Sequence, residues 1–278
     1  MGLLDYNEAI KSFEKALRQG NGFVRKVDMD LSYYLAMAEY KAGNVDKAID
    51  TYSAIIGIDD KDSEAYFLRA KAELRNDNKD AALFDFDKVI ELNADDYDEY
   101  IKVYKALDEM EYTADGISYI EKAMNLNKKK TDYQFGMLSY YLGNYDEAKT
   151  FLERAREGND SDEIVLYLGR CYEQLGDLNY ATTLYSTYLD QKTGNAAIYN
   201  EMGLMKLKQG DYQGALSAFD SGLTIGNPEY AQVLMYNEII TYEYLGEYKK
   251  AAVAMQEYLK DYPDDENAIR ENIFLSTR

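Results

Sequence analysis

The chain contains no histidine and only one cysteine, Cys171. Histidine-dependent catalytic triads, zinc clusters of Cys and His, and any disulfide within the chain are therefore excluded. Cys171 follows Gly169 by two places in a predicted helix, and we expect it in the core. A Gly-Lys-Ser/Thr phosphate loop and a three-glycine dinucleotide fingerprint are also missing. We expect no enzymatic activity, no cofactor and no metal.

Proline and long apolar runs are also scarce. The only prolines, Pro228 and Pro263, leave almost the whole chain free to be helical. The longest apolar stretches, such as 251–255, are far shorter than the roughly 20 residues that a membrane-spanning helix needs. With 46% apolar and 29% charged residues, the composition is that of a folded globular protein.

Positive charge is in short supply. The chain has 31 Lys and Arg against 51 Asp and Glu, a formal net charge of -20. A surface of this sign repels phosphate backbones and anionic lipids, so we expect no nucleic-acid partner. The acidic clusters at 59–62 and 93–98 lack the central glycine and terminal glutamate of calcium loops, and we interpret them as helix caps.

What the sequence does contain is a repeat. Small residues that open a helical apolar pattern recur every 32 to 39 residues, at Ala9, Ala48, Ala82, Gly116, Ala148, Ala181, Ala215 and Ala251. A unit of about 34 residues fits them all. It predicts a half repeat (1–28), full repeats at about 29–62, 63–96, 97–128, 129–161, 162–195, 196–231 and 232–265, and a C-terminal capping helix at 266–278. We expect one all-α domain over 1–278.

Each unit predicts two helices joined by a tight turn. Five units carry a glycine near the middle, where a left-handed conformation ends the first helix: Gly43, Gly143, Gly176, Gly210 and Gly246. Four residues after each small residue stands a large apolar one, for example Phe86 or Phe219. This is helical spacing on one face, and we predict that the face is buried.

These features resemble the tetratricopeptide repeat family. Leu-Gly at 168–169 and Met-Gly at 202–203 match the family's pair in the first helix, and Gly-Asp-Tyr at 210–212 matches its turn. The resemblance covers nearly the whole chain and implies an α-solenoid of antiparallel helix pairs that forms a superhelix. Repeat 97–128 departs from the pattern, because Glu111 stands where a turn glycine is usual. The family's early tryptophan is replaced by tyrosine in three units: Tyr66, Tyr100 and Tyr199.

The resemblance also implies a binding surface. In the family the first helices line a concave face, and set places of each unit point into it. Those places hold aromatic, apolar and some basic residues here: Tyr33, Met37, Tyr40, Phe67, Lys71, Leu74, Arg75, Lys105, Tyr133, Met137, Tyr140, Tyr141, Arg170, Tyr236 and Tyr244. We predict a groove that binds a polypeptide segment, in which the four basic residues select acidic side chains. This residue set cannot form the family's clamp for the C-terminal carboxylate of chaperones.

Two other functions stay open on the sequence alone: a structural module that self-associates through its chain ends, and a glycan-binding protein with tyrosine platforms. The half repeat at 1–28 lacks its partner helix, which predicts that upstream residues are missing. A missing segment favours an exported or lipid-anchored protein over a cytoplasmic one. At the other end, we expect Ala268, Ile269, Ile273 and Phe274 to face the last repeat.

Overall fold

A computed structural model describes residues 6–18, 26–192 and 194–278. These residues form sixteen α-helices and no strand, which confirms the predicted all-α fold. In chain order the helices are α1 (Tyr6–Arg18), α2 (Lys26–Lys41), α3 (Val45–Ile58), α4 (Ser63–Arg75), α5 (Lys79–Leu92), α6 (Tyr97–Asp108), α7 (Thr113–Met124), α8 (Asp132–Tyr141), α9 (Tyr145–Gly158), α10 (Asp162–Gln174), α11 (Leu178–Gln191), α12 (Ala196–Lys208), α13 (Tyr212–Thr224), α14 (Pro228–Tyr244), α15 (Tyr248–Asp261) and α16 (Glu266–Leu275).

The helices belong to two compact units, Met1–Lys129 with α1 to α7 and Lys130–Arg278 with α8 to α16. Even-numbered helices from α2 to α14 are the first helices of the repeats, and each packs against the second helix that follows it. In the second unit α8, α10, α12 and α14 also contact one another in sequence, so the first helices form a row. Helix α14 begins at Pro228, inside the predicted repeat 196–231, because proline suits the first helical turn.

The turns between paired helices follow the sequence prediction. The five central glycines have φ between +71° and +84°, which confirms the left-handed conformation. In two units the same place holds a residue with a side chain, Asp77 (φ 57°) and Glu111 (φ 64°). An L-residue is strained in this region, and glutamate tolerates it less well than aspartate does.

The repeated apolar stripe lies in the core. Phe86 and Phe219 are fully buried, as predicted, and so is Cys171, whose thiol pKa burial raises to about 12. The first and second helices approach closely at Gly169, where an added Cβ would collide with the ring of Tyr185. Only glycine fits there, which gives the Leu-Gly pair its physical reason.

The acidic clusters cap helices, as expected. The Asp62 carboxylate accepts a hydrogen bond from the Ala65 amide at 3.1 Å, and the Asp96 carboxylate accepts one from the Asp98 amide at 3.0 Å. Each satisfies an amide that has no partner within its helix.

The prediction for the last helix was wrong in part. In α16, Ala268 is buried, but Ile269, Ile273 and Phe274 are exposed, and Leu275 is buried in their place. Ala268 and Leu275 stand seven residues apart and share one helical face, whereas Ile269 and Ile273 belong to a different face.

Candidate functional site

The candidate groove residues of the first unit lie at different depths. Met37 of α2 is 47% exposed, while Tyr33 and Tyr40 of the same helix are half-buried. Phe67 and Leu74 of α4 are buried and pack inside the unit. Residues buried in the free chain offer a partner no surface, so the accessible part of this face consists of the α2 side chains together with Lys71, Arg75 and Lys105.

In the second unit the same places also divide between core and surface. Met137 of α8 has no exposed area, whereas Tyr133, Tyr140, Tyr141, Arg170 and Tyr236 are half-buried. Tyr244 at the end of α14 is 61% exposed. Its ring stacks on the Tyr212 ring, with centroids 5.2 Å apart and planes inclined by 8°, so the other face of the ring is open.

Four tyrosines of the second unit form a packed cluster around Tyr140. Its ring makes edge-to-face contacts with the rings of Tyr141, Tyr145 and Tyr167, at centroid distances of 5.4, 5.6 and 4.9 Å. The hydroxyls of Tyr141 and Tyr167 are hydrogen-bonded at 2.5 Å. Burial raises the pKa of Tyr140 and Tyr141 well above the ordinary tyrosine value. These two side chains therefore stabilise the α8–α10 contact and are not freely displayed.

The basic residues of the candidate groove are engaged inside the protein. Lys71 pairs with Glu109 at 3.0 Å, and Arg75 donates to the Tyr40 carbonyl at 2.9 Å. The Arg170 guanidinium donates twice to one oxygen of the buried Glu201 carboxylate, at 2.6 and 3.1 Å. The charge of Glu201 keeps the pKa of Arg170 above its ordinary value despite the opposing effect of burial. Arginines already paired in this way are poorly placed to select acidic side chains of a partner.

The sequence reasoning missed a buried ion pair in the first unit. Arg69 of α4 forms two parallel hydrogen bonds to Asp85 of α5, both 2.8 Å long, and a third to the Ser53 hydroxyl at 2.9 Å. Asp85 is 1% exposed. A charge so deeply buried needs its partner, and the pair ties α3, α4 and α5 together. An aspartate in an apolar stripe was the only sequence signal for it.

Three tyrosines at the fifth place of their repeats open onto pockets at the start of a neighbouring helix. The Tyr33 pocket, of about 450 Å³, lies in the first unit and is lined by Asp30, Tyr33, Tyr34, Met37, Tyr52, Asp62, Glu64 and Leu68. The Tyr133 and Tyr236 pockets lie in the second unit and measure about 980 and 310 Å³. All three contain carboxylates beside the tyrosine ring.

The Tyr33 pocket differs from the other two in its polar bonding. The Tyr33 hydroxyl is buried against the Asp62 carboxylate but makes no hydrogen bond of normal geometry to it, and burial followed by this contact with Asp62 raises the tyrosine pKa. Glu64 is held by Lys102 at 2.6 Å. In the Tyr133 pocket, by contrast, the tyrosine hydroxyl donates to Glu163 at 2.6 Å. In the Tyr33 pocket the hydroxyl thus lies among carboxylates without a well-formed hydrogen bond to any of them.

Comparisons with known proteins agree with this architecture. Four tetratricopeptide repeat profiles match residues 1–63, 63–96, 140–201 and 234–265, together more than half of the chain. The chain belongs to the tetratricopeptide repeat family. Proteins of this class are repeat scaffolds that generally mediate protein–protein interactions and are typically not enzymes.

Two curated relatives and one solved structure are similar to this chain. A TPR repeat-containing protein of Methanocaldococcus jannaschii is 25% identical over 196 residues, which are 66% of this chain and 34% of that protein. The BBSome complex member BBS4 of Bos taurus is 28% identical over 120 residues, 42% of this chain and 23% of that protein. This chain thus matches about a third of the first relative and less than a quarter of the second. The crystal structure of a tetratricopeptide repeat protein from Parabacteroides merdae superposes with a TM-score of 0.60 at 17% identity, covering 85% of this chain and 92% of the other.

Among the described residues, no helix has the length and apolar character needed to cross a bilayer.

Proposed function

We propose that this chain is a non-catalytic scaffold that binds a polypeptide segment on the first-helix faces of its two units. The observation that carries the proposal is the open display of large apolar side chains on first helices, namely Met37 on α2 and Tyr244 on α14. Tyrosine and methionine are enriched where protein interfaces are fully buried, and here Met37 is 47% and Tyr244 61% exposed.

Neighbouring residues extend the display on α2. Tyr34 is 53% exposed, and its ring stacks on that of Phe13 from α1 with centroids 6.0 Å apart. A ring fixed on one side loses little conformational freedom when a partner covers the other side, so such residues bind at low entropic cost. Tyr244, held by Tyr212, has the same arrangement in the second unit.

The proposal is tested by capturing partners from the native source with matched variants. Met37→Ala and Tyr244→Ala alter first helices, while Phe84→Ala and Val253→Ala alter second-helix residues that are about as exposed. We expect the first pair to weaken the binding of a captured and purified partner by about 2 kcal/mol, roughly 30-fold, and the second pair to have little effect.

All four variants should keep a melting temperature close to that of the wild type, because the altered side chains are between 47% and 62% exposed. Equal weakening by both pairs, or by the second pair alone, would contradict the assignment to first helices. Sedimentation over a concentration series checks whether the captured species is a second copy of the chain, which would favour the self-association alternative.

A further inference from the structure

We propose that the Tyr33 pocket receives a basic side chain, arginine in the first place, from the polypeptide that the first-helix face binds. This inference rests on the proposed function and adds the chemistry of one recognised residue. It reverses the acidic partner that the sequence alone suggested.

The charge of the pocket selects a cation. Asp30, Asp62 and Glu64 all line it. Asp30 forms no ion pair with any described residue, and Asp62 uses only Oδ1 to cap α4. Lys102 neutralises Glu64 alone. The uncompensated charge at the pocket is therefore negative, which attracts a guanidinium or ammonium group and repels carboxylate and phosphate.

The polar geometry favours a ligand with several N–H donors. The buried Tyr33 hydroxyl lies against the Asp62 carboxylate, which can only accept, so no group of the protein donates to the tyrosine oxygen and that oxygen can accept a hydrogen bond from a ligand. The second oxygen of Asp62 can accept another. A guanidinium carries five N–H donors in a planar fork and can reach two acceptors at once, whereas an ammonium group is a compact point charge.

The walls of the pocket match the rest of an arginine side chain. Tyr33 and Tyr52 stand with ring centroids 6.3 Å apart, and Tyr34 adds a third ring at the rim. Aromatic faces attract cations and stack with the guanidinium plane. Met37 and Leu68 provide apolar surface for the methylene stem. A volume of about 450 Å³ is within the range of small-ligand pockets.

In the corresponding pockets of the second unit, every carboxylate except that of Glu229 already has a partner inside the protein. In the Tyr133 pocket, Asp132 pairs with Arg154 at 2.8 Å and Asp160 with Arg156 at 2.7 Å. In the Tyr236 pocket, Asp265 accepts hydrogen bonds from the Tyr258 hydroxyl at 2.6 Å and from two amides of α16. These pockets serve as internal controls for the experiment.

The test is an NMR titration of the full chain with three probes: a ten-residue Gly/Ser peptide with one central arginine, the same peptide with citrulline, and N-acetyl-arginine methylamide. Citrulline keeps the shape of arginine without its charge. We expect the arginine peptide to shift amides of α2 and the start of α4, and the citrulline peptide to bind at least tenfold more weakly. The double variant Asp30→Asn, Asp62→Asn should lose at least tenfold in affinity for the arginine peptide, while asparagine preserves the helix cap.

The matched control is Glu229→Gln in the Tyr236 pocket, which should leave the affinity unchanged. Equal binding of both peptides, no loss in the double variant, or shifts centred on the second unit would overturn the inference. Binding of N-acetyl-arginine methylamide as tight as that of the peptide would overturn the polypeptide source, because the pocket would then be a site for a free cation. If Met37→Ala and Tyr244→Ala still weaken partner capture while the arginine peptide fails to bind, the proposed function stands and this inference alone fails.

Discussion

The Tyr33 and Tyr133 pockets occupy equivalent places in the two units, yet their tyrosine hydroxyls differ. The Tyr133 hydroxyl makes a hydrogen bond to a glutamate, and the Tyr33 hydroxyl makes none of normal geometry. Each pocket has a tyrosine at the fifth place of one repeat and a glutamate at the second place of the next, Glu64 or Glu163. Glu163 accepts the hydroxyl of Tyr133. Glu64 is instead paired with Lys102, which stands at the sixth place of the following repeat. The corresponding residue in the second unit is Glu201, which pairs with Arg170 and cannot attract Glu163.

The interactions of the pocket glutamate therefore differ with the charge at the sixth place of the next repeat. The tyrosine and the glutamate are alike in both units, whereas the sixth place of the following repeat holds Lys102 in one and Glu201 in the other. The two units also differ in their arginine–carboxylate pairs, in the residue where paired helices approach each other, and in the residue at the turn between them.

The largest expected difference concerns the arginine–carboxylate pairs. Arg69→Ala leaves the Asp85 carboxylate, with a side chain 2% exposed, as a buried unpaired charge. We expect a loss of about 3–5 kcal/mol in the free energy of unfolding. Arg170→Ala should cost clearly less, because the side chains of Arg170 and Glu201 are 31% and 11% exposed and water can solvate the remaining charge. Urea unfolding of both variants measures the difference, and equal losses would contradict it.

A smaller difference is expected at the eighth place of the repeats, where the first unit has Ala70 and the second has Gly169. Gly169→Ala forces a methyl group into the ring of Tyr185 and should destabilise the protein by about 1–3 kcal/mol. The reverse change, Ala70→Gly, should cost about 1 kcal/mol through helix propensity, and the loss of the buried methyl group should add roughly 0.8 kcal/mol. Thermal unfolding tests the pair, and a neutral Gly169→Ala would show that Tyr185 moves aside freely.

Substitutions at two turn residues should change the stability of the protein in opposite directions. Glu111 has φ 64°, so Glu111→Gly relieves strain, and we expect a gain of about 1 kcal/mol. Gly143 has φ 77°, and Gly143→Ala should lose about the same amount. Denaturant midpoints measure both. A loss of stability in Glu111→Gly would mean that the glutamate side chain contributes more than the backbone strain costs.

The smallest expected effect tests the two tyrosines directly. Tyr133→Phe removes a hydrogen bond to a carboxylate and should cost about 0.5–1.5 kcal/mol. Tyr33→Phe removes a buried hydroxyl that makes no hydrogen bond of normal geometry, so stability should fall by less than in Tyr133→Phe. The two free energies of unfolding, measured under the same conditions, decide the matter; a loss at Tyr33 as large as that at Tyr133 would show that the Tyr33 hydroxyl is bonded.

The helix pairs could be predicted well from the sequence because the same local residue pattern recurs in each repeat. Small residues, apolar residues four places later and turn glycines each act within one hairpin, and the structure buries Phe86 and Phe219 and turns at Gly43 as those rules require. Glu111 could also be identified as an exception, since it replaces a turn glycine.

Side-chain depth and pairing were harder to predict from the sequence. The position rule places Met137 and Met37 on the same helical face, but contacts between neighbouring helices bury the first and leave the second exposed. Lys71 and Glu109 are 38 residues apart, so their pairing depends on how successive repeats stack. The pairing of Glu64 on α4 depends in the same way on Lys102 of α6, which lies 38 residues further along the chain.

The central claim, that the first-helix faces bind a polypeptide, is tested most directly by placing a photo-crosslinking amino acid at single exposed sites. Met37 and Tyr244 report on first helices, and Phe84 and Val253 report on second helices with comparable exposure. With the purified partner present, we predict crosslinked adducts from Met37 and Tyr244, with each crosslink mapping to a short continuous segment of the partner, and only background from the other two. Adducts formed mainly from Phe84 and Val253 would contradict the account.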